Sequence, residues 1–206
     1  MNFPEKKYKN LDSFYDDYVG QLTYQLNNLD KKKLLKAANL ISEKIKKNKN
    51  IFICGNGGSA SLANHMLCDY TKTLRQNSNL KPKVISLVSN LELITAISND
   101  IKYDDIFSYQ AESLCSTGDL IIMFSSSGNS KNLVNLIKFA KKKKLKVLSF
   151  IGFSGGYLKN NSDISVYFPI NNYGISEDCN HIMMHLILQF LKQNEISTKK
   201  IIKSTF

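Results

Sequence analysis

Two short segments rich in glycine and serine carry the residues whose chemistry is easiest to interpret. Residues 55–59 (GNGGS) follow an apolar run and lead into a helix-forming stretch, and residues 125–130 (SSSGNS) repeat this arrangement later in the chain. A turn between a strand and a helix exposes backbone N–H groups, to which serine hydroxyls add further donors. Because the two turns occupy matching positions, they predict a binding site for an anion such as a phosphate monoester.

The anion is predicted to be a phosphorylated small molecule rather than a nucleotide. No Gly-Lys-Ser/Thr follows the glycines, so the first turn is not the phosphate-binding loop of an NTPase. The segment GNGGSA has Ala60 at the last position of the dinucleotide fingerprint, which is a tolerated variant, but no acidic residue directly follows the apolar run 84–88. A phosphorylated metabolite fits these turns better than a dinucleotide does.

Two helical segments each place a histidine and a carboxylate on one face. Glu177, His181 and His185 are spaced at i, i+4 and i+8, and Asp69 follows His65 by four residues in the segment after the first turn. Residues four apart lie above one another on a helix. Such sets are typical of a transition-metal site or of acid–base catalysis, and the sequence leaves both open.

Alternating strands and helices must position these residues. The predicted strands are residues 51–54, 84–88, 120–124, 146–151 and 164–168. The predicted helices among and after them are residues 59–75, 91–98, 104–115, 130–143 and 176–193. This alternation indicates an α/β fold with a doubly wound, five-stranded parallel sheet of flavodoxin-like order, which binds ligands at the carboxyl ends of its strands. We expect a helical hairpin over residues 1–50 and a single domain over residues 51–206.

The composition of the 206 residues argues against several classes of function. The net charge is +11, but it comes from dispersed lysines with Arg75 as the only arginine, so we expect no nucleic-acid partner. No apolar run reaches membrane-spanning length and no signal peptide is apparent, so we expect no membrane association and a cytoplasmic location. The four cysteines are widely spaced, which predicts reduced thiols.

In its motifs the chain resembles the sugar isomerase (SIS) family, and most of all its phosphoheptose isomerase branch. The resemblance covers nearly the whole chain and includes CGNGGSASLANH, ISNDIKYDDIFS, GDLIIMFSSSGNS and IGFSGG. It implies an aldose–ketose isomerase that interconverts sedoheptulose 7-phosphate and D-glycero-D-manno-heptose 7-phosphate through an enediol or enediolate. It also implies a cytoplasmic homotetramer that supplies heptose precursors to lipopolysaccharide or other surface glycans.

The same resemblance implies roles for particular residues. The substrate phosphate is expected at Gly57, Gly58, Ser59, Ser125, Ser126, Ser127 and Ser130. The sugar hydroxyls are expected near Asn56, Asn99 and Asp100. A zinc ion is expected on His65, Asp69, Glu177 and His185. The base is expected to be Asp69 or Glu177, with His185 as its partner acid or as a metal ligand, and the sequence leaves open the reverse assignment of base and acid.

Three positions depart from the family's pattern. Asp69 replaces a glutamate, Glu177 replaces a glutamine, and Lys72 stands where the heptose enzymes usually have a small residue. The Lys72 cation is expected to offset the added charge or to meet a substrate oxygen. Two alternatives stay open beside the heptose enzyme. One is an isomerase of a different sugar phosphate, and the other is a non-enzymatic SIS module that binds sugar phosphates or a protein partner.

Overall fold

A computed structural model describes residues 1–202 and 204, and its centre is a five-stranded parallel sheet. The strands are β1 Asn50–Cys54, β2 Lys83–Ser86, β3 Leu120–Ser125, β4 Lys146–Ile151 and β5 Ile164–Tyr167. They are arranged in the order β2-β1-β3-β4-β5, and every neighbouring pair is parallel. The predicted α/β fold, with a doubly wound sheet of flavodoxin-like order, is therefore confirmed. Residues 203, 205 and 206 of the predicted domain lie outside the described residues.

Helices cover both faces of this sheet. They are α1 Leu11–Asn27, α2 Lys31–Lys46, α3 Gly58–Cys68, α4 Leu91–Asp100, α5 Ile106–Leu114, α6 Lys131–Lys142, α7 Gly156–Asn161, α8 Tyr173–Asn194 and α9 Thr198–Ile201. The predicted helix over 59–75 is present, but its type changes along its length, because α3 ends at Cys68 and a π-helical turn, Asp69–Leu74, follows it directly. The short helix α7 was not predicted, and it begins after Gly155 with a φ of 83°.

Side chains of the central strands alternate between two separate apolar cores. Ile51 and Ile53 of β1 pack with α2, α3 and α8, whereas Phe52 and Cys54 pack with α4, α5 and α6. Helices α3 and α6 follow the adjacent strands β1 and β3 but cover opposite faces of the sheet. The connections that leave β1 and β3 therefore run to opposite faces of the sheet, and a crevice opens between them at the carboxyl ends of the two strands.

The N-terminal helices pack against α8. Asp30 caps α2 by accepting hydrogen bonds from the backbone N–H groups of Lys32 and Lys33. From α1, the Tyr18 hydroxyl donates a hydrogen bond of 2.6 Å to Asp178 of α8. The predicted helical hairpin is thus present, whereas the division into residues 1–50 and 51–206 stays a prediction.

Helix α8 differs from expectation in its burial. Its apolar pattern predicts burial on nearly all sides, yet Leu186 is 45% exposed and Phe190 is 39% exposed in the single chain. The reason is that α1 and α2 leave an apolar groove beside this part of α8. Across the described ranges, no helix is both long enough and apolar enough to cross a bilayer.

The buried carboxylate of Asp119 joins the start of β1 to the turn before β3. It accepts hydrogen bonds from the backbone N–H groups of Asn50 (2.9 Å) and Ser116 (2.8 Å), and only 1% of Asp119 is exposed.

Asp119→Ala should lower the free energy of unfolding by about 2–4 kcal/mol, because both donors lose their acceptor. Urea unfolding at one protein concentration measures this change. The exposed Asp16→Ala is the control, expected within about 0.5 kcal/mol of wild type; equal midpoints for the two variants would contradict the prediction.

Candidate functional site

Two helix N-termini face the crevice at the ends of β1 and β3. Gly57, with a φ of 55°, precedes α3, and Ser130 precedes α6. Gly57 has no side chain that could cap α3, and the Ser130 hydroxyl makes no hydrogen bond to the first turn of α6. The Leu133 N–H of α6 donates to the Oδ1 atom of Asn132 at 2.9 Å, and the Ser59 N–H of α3 donates to the Asn56 carbonyl at 3.0 Å. The N–H groups that precede these two and the positive ends of both helix dipoles can meet an anion in the crevice.

A cavity of about 290 Å³ lies between these two turns. It is lined by Asn56, Gly57, Gly58, Ser59, Phe124, Ser125, Ser126, Ser127, Ser130, Tyr173 and Glu177. All of these residues except Phe124 and Tyr173 are candidates from the sequence, so the structure brings both predicted turns and Glu177 into one site. Tyr173, at the start of α8, carried no signal in the sequence because its position depends on how α8 docks.

Paired side-chain amides hold the two turns together. The Asn56 amide donates to the Oδ1 atom of Asn132 (3.0 Å), and the Asn132 amide donates to the Oδ1 atom of Asn56 (2.9 Å). The Tyr103 hydroxyl also donates to this Asn56 oxygen, at 2.9 Å. In the structure, Asn56 therefore bridges the first turn to α6. Asn132 is only 1% exposed and was not recognised in the sequence.

The second turn is supported by the segment GFSGG before α7. Gly128 adopts a φ of 66°, and a β-carbon at this position would overlap the carbonyl group of Gly155. The Gly128 N–H donates to the Ser125 hydroxyl at 3.0 Å, which closes the turn. The Ser126 hydroxyl oxygen is buried and has no hydrogen-bond partner among the described residues. It is therefore available to a ligand in the cavity.

A cluster of ligating atoms lies about two helical turns beyond the glycines. The Nε2 atoms of His65 and His185 are 3.1 Å apart, and one carboxylate oxygen of Asp69 lies 3.3 Å from the first and 3.2 Å from the second. Tetrahedral coordination with zinc bonds of ~2.0–2.1 Å places neighbouring ligand atoms about 3.3–3.4 Å apart. These three side chains therefore fit a zinc ion or a similar divalent metal.

His181 adds a third imidazole to this cluster. Its ring centroid lies 4.6 Å from that of His65 and 4.5 Å from that of His185. Burial, followed by the neighbouring imidazoles of His185 and His65, lowers the pKa of His181 and so favours its neutral form. The sequence places His181 on the same stripe as His185, but the resemblance assigned it no role.

Glu177 connects the cluster to the first cavity. Its carboxylate lies against the α-carbon of Gly58, where a side chain would otherwise project. It also lines a second cavity of about 260 Å³, whose lining is Gly58, Ser61, Leu62, His65, Glu177, Asp178 and His181. Burial, and to a lesser degree the charge of Asp178, raises the pKa of Glu177. A carboxylate in such surroundings is a stronger base than an exposed one.

Three predicted site residues lie elsewhere. Among the described residues, Lys72, Asn99 and Asp100 line neither of the two cavities. Lys72 is exposed on the π-helical turn. Asn99 and Asp100 are exposed at the end of α4, where the Asn99 amide donates to the Asp100 carboxylate at 2.7 Å. Their substrate-binding roles stay predictions.

Comparison with known proteins agrees with this architecture. A sequence profile of the SIS domain matches residues 14–152. The phosphoheptose isomerase of Aliarcobacter butzleri is 35% identical over 164 residues, which is 80% of this chain and 86% of that protein. The phosphoheptose isomerase of Campylobacter concisus is 34% identical over 153 residues, which is 74% of this chain and 80% of that protein.

A solved structure shares the same fold. The phosphoheptose isomerase GmhA of Neisseria gonorrhoeae aligns with a TM-score of 0.80 and 24% identity, over 88% of this chain and 96% of that chain. The profile match covers both the glycine turn before α3 and the serine turn before α6. The chain therefore belongs to the SIS domain family.

Proposed function

We propose that this protein is an aldose–ketose isomerase that interconverts sedoheptulose 7-phosphate and D-glycero-D-manno-heptose 7-phosphate. One observation carries the proposal: the cavity between the two glycine- and serine-rich turns and the cavity at the histidine cluster share Gly58 and Glu177 in their linings. A phosphorylated sugar can therefore hold its phosphate at the turns while its carbonyl end reaches Glu177. The relatives named phosphoheptose isomerase support the choice of sugar.

The two turns hold the phosphate in this proposal. Backbone N–H groups at the start of α3 and α6 and the serine hydroxyls of the second turn donate hydrogen bonds to its oxygens. Ser126 supports this role because its buried hydroxyl oxygen has no partner among the described residues. The phosphate then anchors the sugar chain along the crevice toward α8, which orients the reacting carbons.

Glu177 is the base in this proposal, and Asp69 and His185 belong to the metal site. Glu177 removes the proton from the hydroxyl-bearing carbon next to the carbonyl group and returns it to the former carbonyl carbon, while the hydroxyl proton moves from one oxygen to the other. One carbon is thereby oxidised and the other reduced, so no external redox partner is needed. A divalent metal, zinc by resemblance, supplies Lewis-acid stabilisation of the developing oxyanion when it is bound. Of the two alternatives for His185, the short distances to His65 and Asp69 favour the role of metal ligand.

Turnover of sedoheptulose 7-phosphate by the purified protein tests the function. We expect product formation by wild type and a loss of at least about 100-fold in Glu177→Gln and in His185→Ala, because proton transfer or oxyanion stabilisation is removed. Both variants should still bind the sugar phosphate in calorimetry. Turnover of only another C5 to C7 ketose phosphate would instead support a different isomerase. Binding without turnover of any such sugar would support a non-enzymatic module.

Gly128→Ala tests the phosphate site. Its β-carbon would overlap the Gly155 carbonyl, and its φ of 66° is unfavourable for alanine. We expect the affinity for sugar phosphate to fall about tenfold or more, since the strain of ~1–2 kcal/mol displaces the turn. The matched control is Gly20→Ala in α1, where nothing lies within 4 Å of the new β-carbon. Equal calorimetric affinities for these two variants would contradict the assignment.

The proposal includes a homotetramer. An apolar groove of about 410 Å³ runs between the hairpin of α1 and α2 and the middle of α8. Leu35, Leu186 and Phe190 line it and are exposed by 52%, 45% and 39%. A second copy of the chain that covers this groove would remove these side chains from water, which favours association.

Phe190→Glu tests the assembly. A charge in the apolar groove should dissociate the oligomer, because its burial in a subunit contact is unfavourable. Light scattering coupled to size exclusion should then give the mass of one chain, 23.4 kDa, in place of a tetramer. Gln189→Glu, at the neighbouring exposed position, is the control and should stay tetrameric. An unchanged mass for Phe190→Glu would exclude this groove as a subunit contact.

The cellular context is also part of the proposal. By resemblance, the enzyme acts in the cytoplasm on a free sugar phosphate. Its product would serve as a precursor of lipopolysaccharide or other surface glycans. The proposal includes no nucleic-acid partner, because the dispersed lysines do not form a motif for base readout. It also includes no membrane partner.

A further inference from the structure

Three imidazole rings from two helices meet beside the second cavity, whose lining includes His65 and His181. The ring nitrogens of His65, His181 and His185 that could ligate a metal all lie within 4.8 Å of one another. Within the part of the chain that the structure describes, neither Glu177 nor Asp69 belongs to this group, but a carboxylate oxygen of Asp69 lies 3.3 Å from the Nε2 atom of His65 and 3.2 Å from that of His185. The observed arrangement therefore differs from the ligand set implied by the family resemblance, in which Glu177 is a ligand and His181 is not.

The position of each residue along α8 explains this difference. An α-helix rises about 1.5 Å per residue, so His181 lies about 6 Å from His185 along the axis and Glu177 lies about 12 Å from it. A metal ion held by His185 and by α3 is thus much nearer to His181. The Glu177 carboxylate lies instead against Gly58, at the boundary with the phosphate cavity.

His181 also has an unpaired ring nitrogen. Its Nε2 atom is buried and has no hydrogen-bond partner among the described residues. A buried polar atom without a partner costs about 1–3 kcal/mol, and in native proteins such an atom commonly meets a water molecule or an ion. A metal ion in the cluster would satisfy it.

We propose that this protein binds a divalent transition metal, zinc by preference, through His65, Asp69, His181 and His185. Three imidazoles and one carboxylate make a nitrogen-rich, four-ligand set of the kind that zinc accepts. His65, Asp69 and His185 already have the spacing of three corners of a tetrahedron. In this proposal the His181 imidazole supplies the fourth ligand.

This ligand set has a consequence for the reaction. Glu177 stays outside the metal site and keeps a carboxylate that can accept a proton. The site then contains one anionic ligand, Asp69, in place of two. A metal ion with fewer anionic ligands withdraws more charge from a bound carbonyl oxygen. The inference deepens the proposed function and rests on it only for this catalytic consequence.

X-ray absorption at the zinc edge of the full-length, zinc-loaded protein tests the ligand set directly. Multiple scattering from imidazole counts the histidines on the metal. We expect three imidazoles in wild type and two in His181→Phe, a variant that keeps a ring of similar size and so preserves the packing. Two imidazoles in wild type, or no bound zinc, would overturn the inference. The wild-type count decides the question even if His181→Phe does not fold.

Zinc affinity in competition with a chelator provides the second measurement. His181→Phe should bind zinc at least about 100-fold more weakly than wild type, which exceeds most losses caused by an outer-shell residue. Glu177→Gln is the matched control on the same stripe of α8, and its affinity should change by less than about tenfold. The opposite ranking of the two variants would place Glu177 in the ligand set.

The two proposals can fail independently. Three imidazoles on zinc without turnover of any sugar phosphate would contradict the proposed function and leave the ligand set intact. Turnover of sedoheptulose 7-phosphate with two imidazoles on zinc would support the proposed function and contradict the ligand set. An inactive Glu177→Gln variant that retains full zinc content is the combined result expected when both proposals hold.

Discussion

The close approach of α8 to the first glycine turn is the constraint on which the site depends. The Glu177 carboxylate fills the space beside Gly58 that a side chain would otherwise occupy. Only a residue without a β-carbon permits this contact without displacement of the carboxylate. In this position Glu177 lines both cavities. The two following histidines on the same stripe of α8, His181 and His185, lie close to His65.

The structure pairs most of the polar groups that this arrangement buries. Asn56 and Asn132 satisfy each other across the two turns, and Asp119 satisfies backbone donors at the base of the sheet. The Ser126 hydroxyl and the Nε2 atom of His181 are two exceptions beside the site. Other unpaired buried atoms among the described residues lie on residues that line neither cavity, namely Gln21, Tyr70, Ser176 and Asn180. Because an unpaired polar group is costly, Ser126 and His181, which do line the cavities, are the two described residues that a ligand there can satisfy.

Most of the fold could be predicted because its strands are continuous apolar runs separated by helical patterns. All five strands occur within two residues of the predicted boundaries, and their order is the predicted one. The π-helical turn Asp69–Leu74 and helix α7 were missed. Both are short, and tertiary contacts outweigh local preference in short elements. The exposure of Leu186 and Phe190 could not be predicted either, because periodicity does not tell a core contact from a subunit contact.

The sequence by itself determined the two anion-binding turns and the spacing of histidines and carboxylates within each helix. These features are local, because a strand, a glycine turn and a helix lie within about twenty residues of chain. Only the tertiary structure decided which residues of α8 meet His65 and Asp69. The two helices are more than a hundred residues apart in sequence, and their relative rotation depends on packing throughout the core. That packing brings His181 beside His65 and His185, places Asp69 against His65 and His185, and leaves Glu177 in the linings of both cavities.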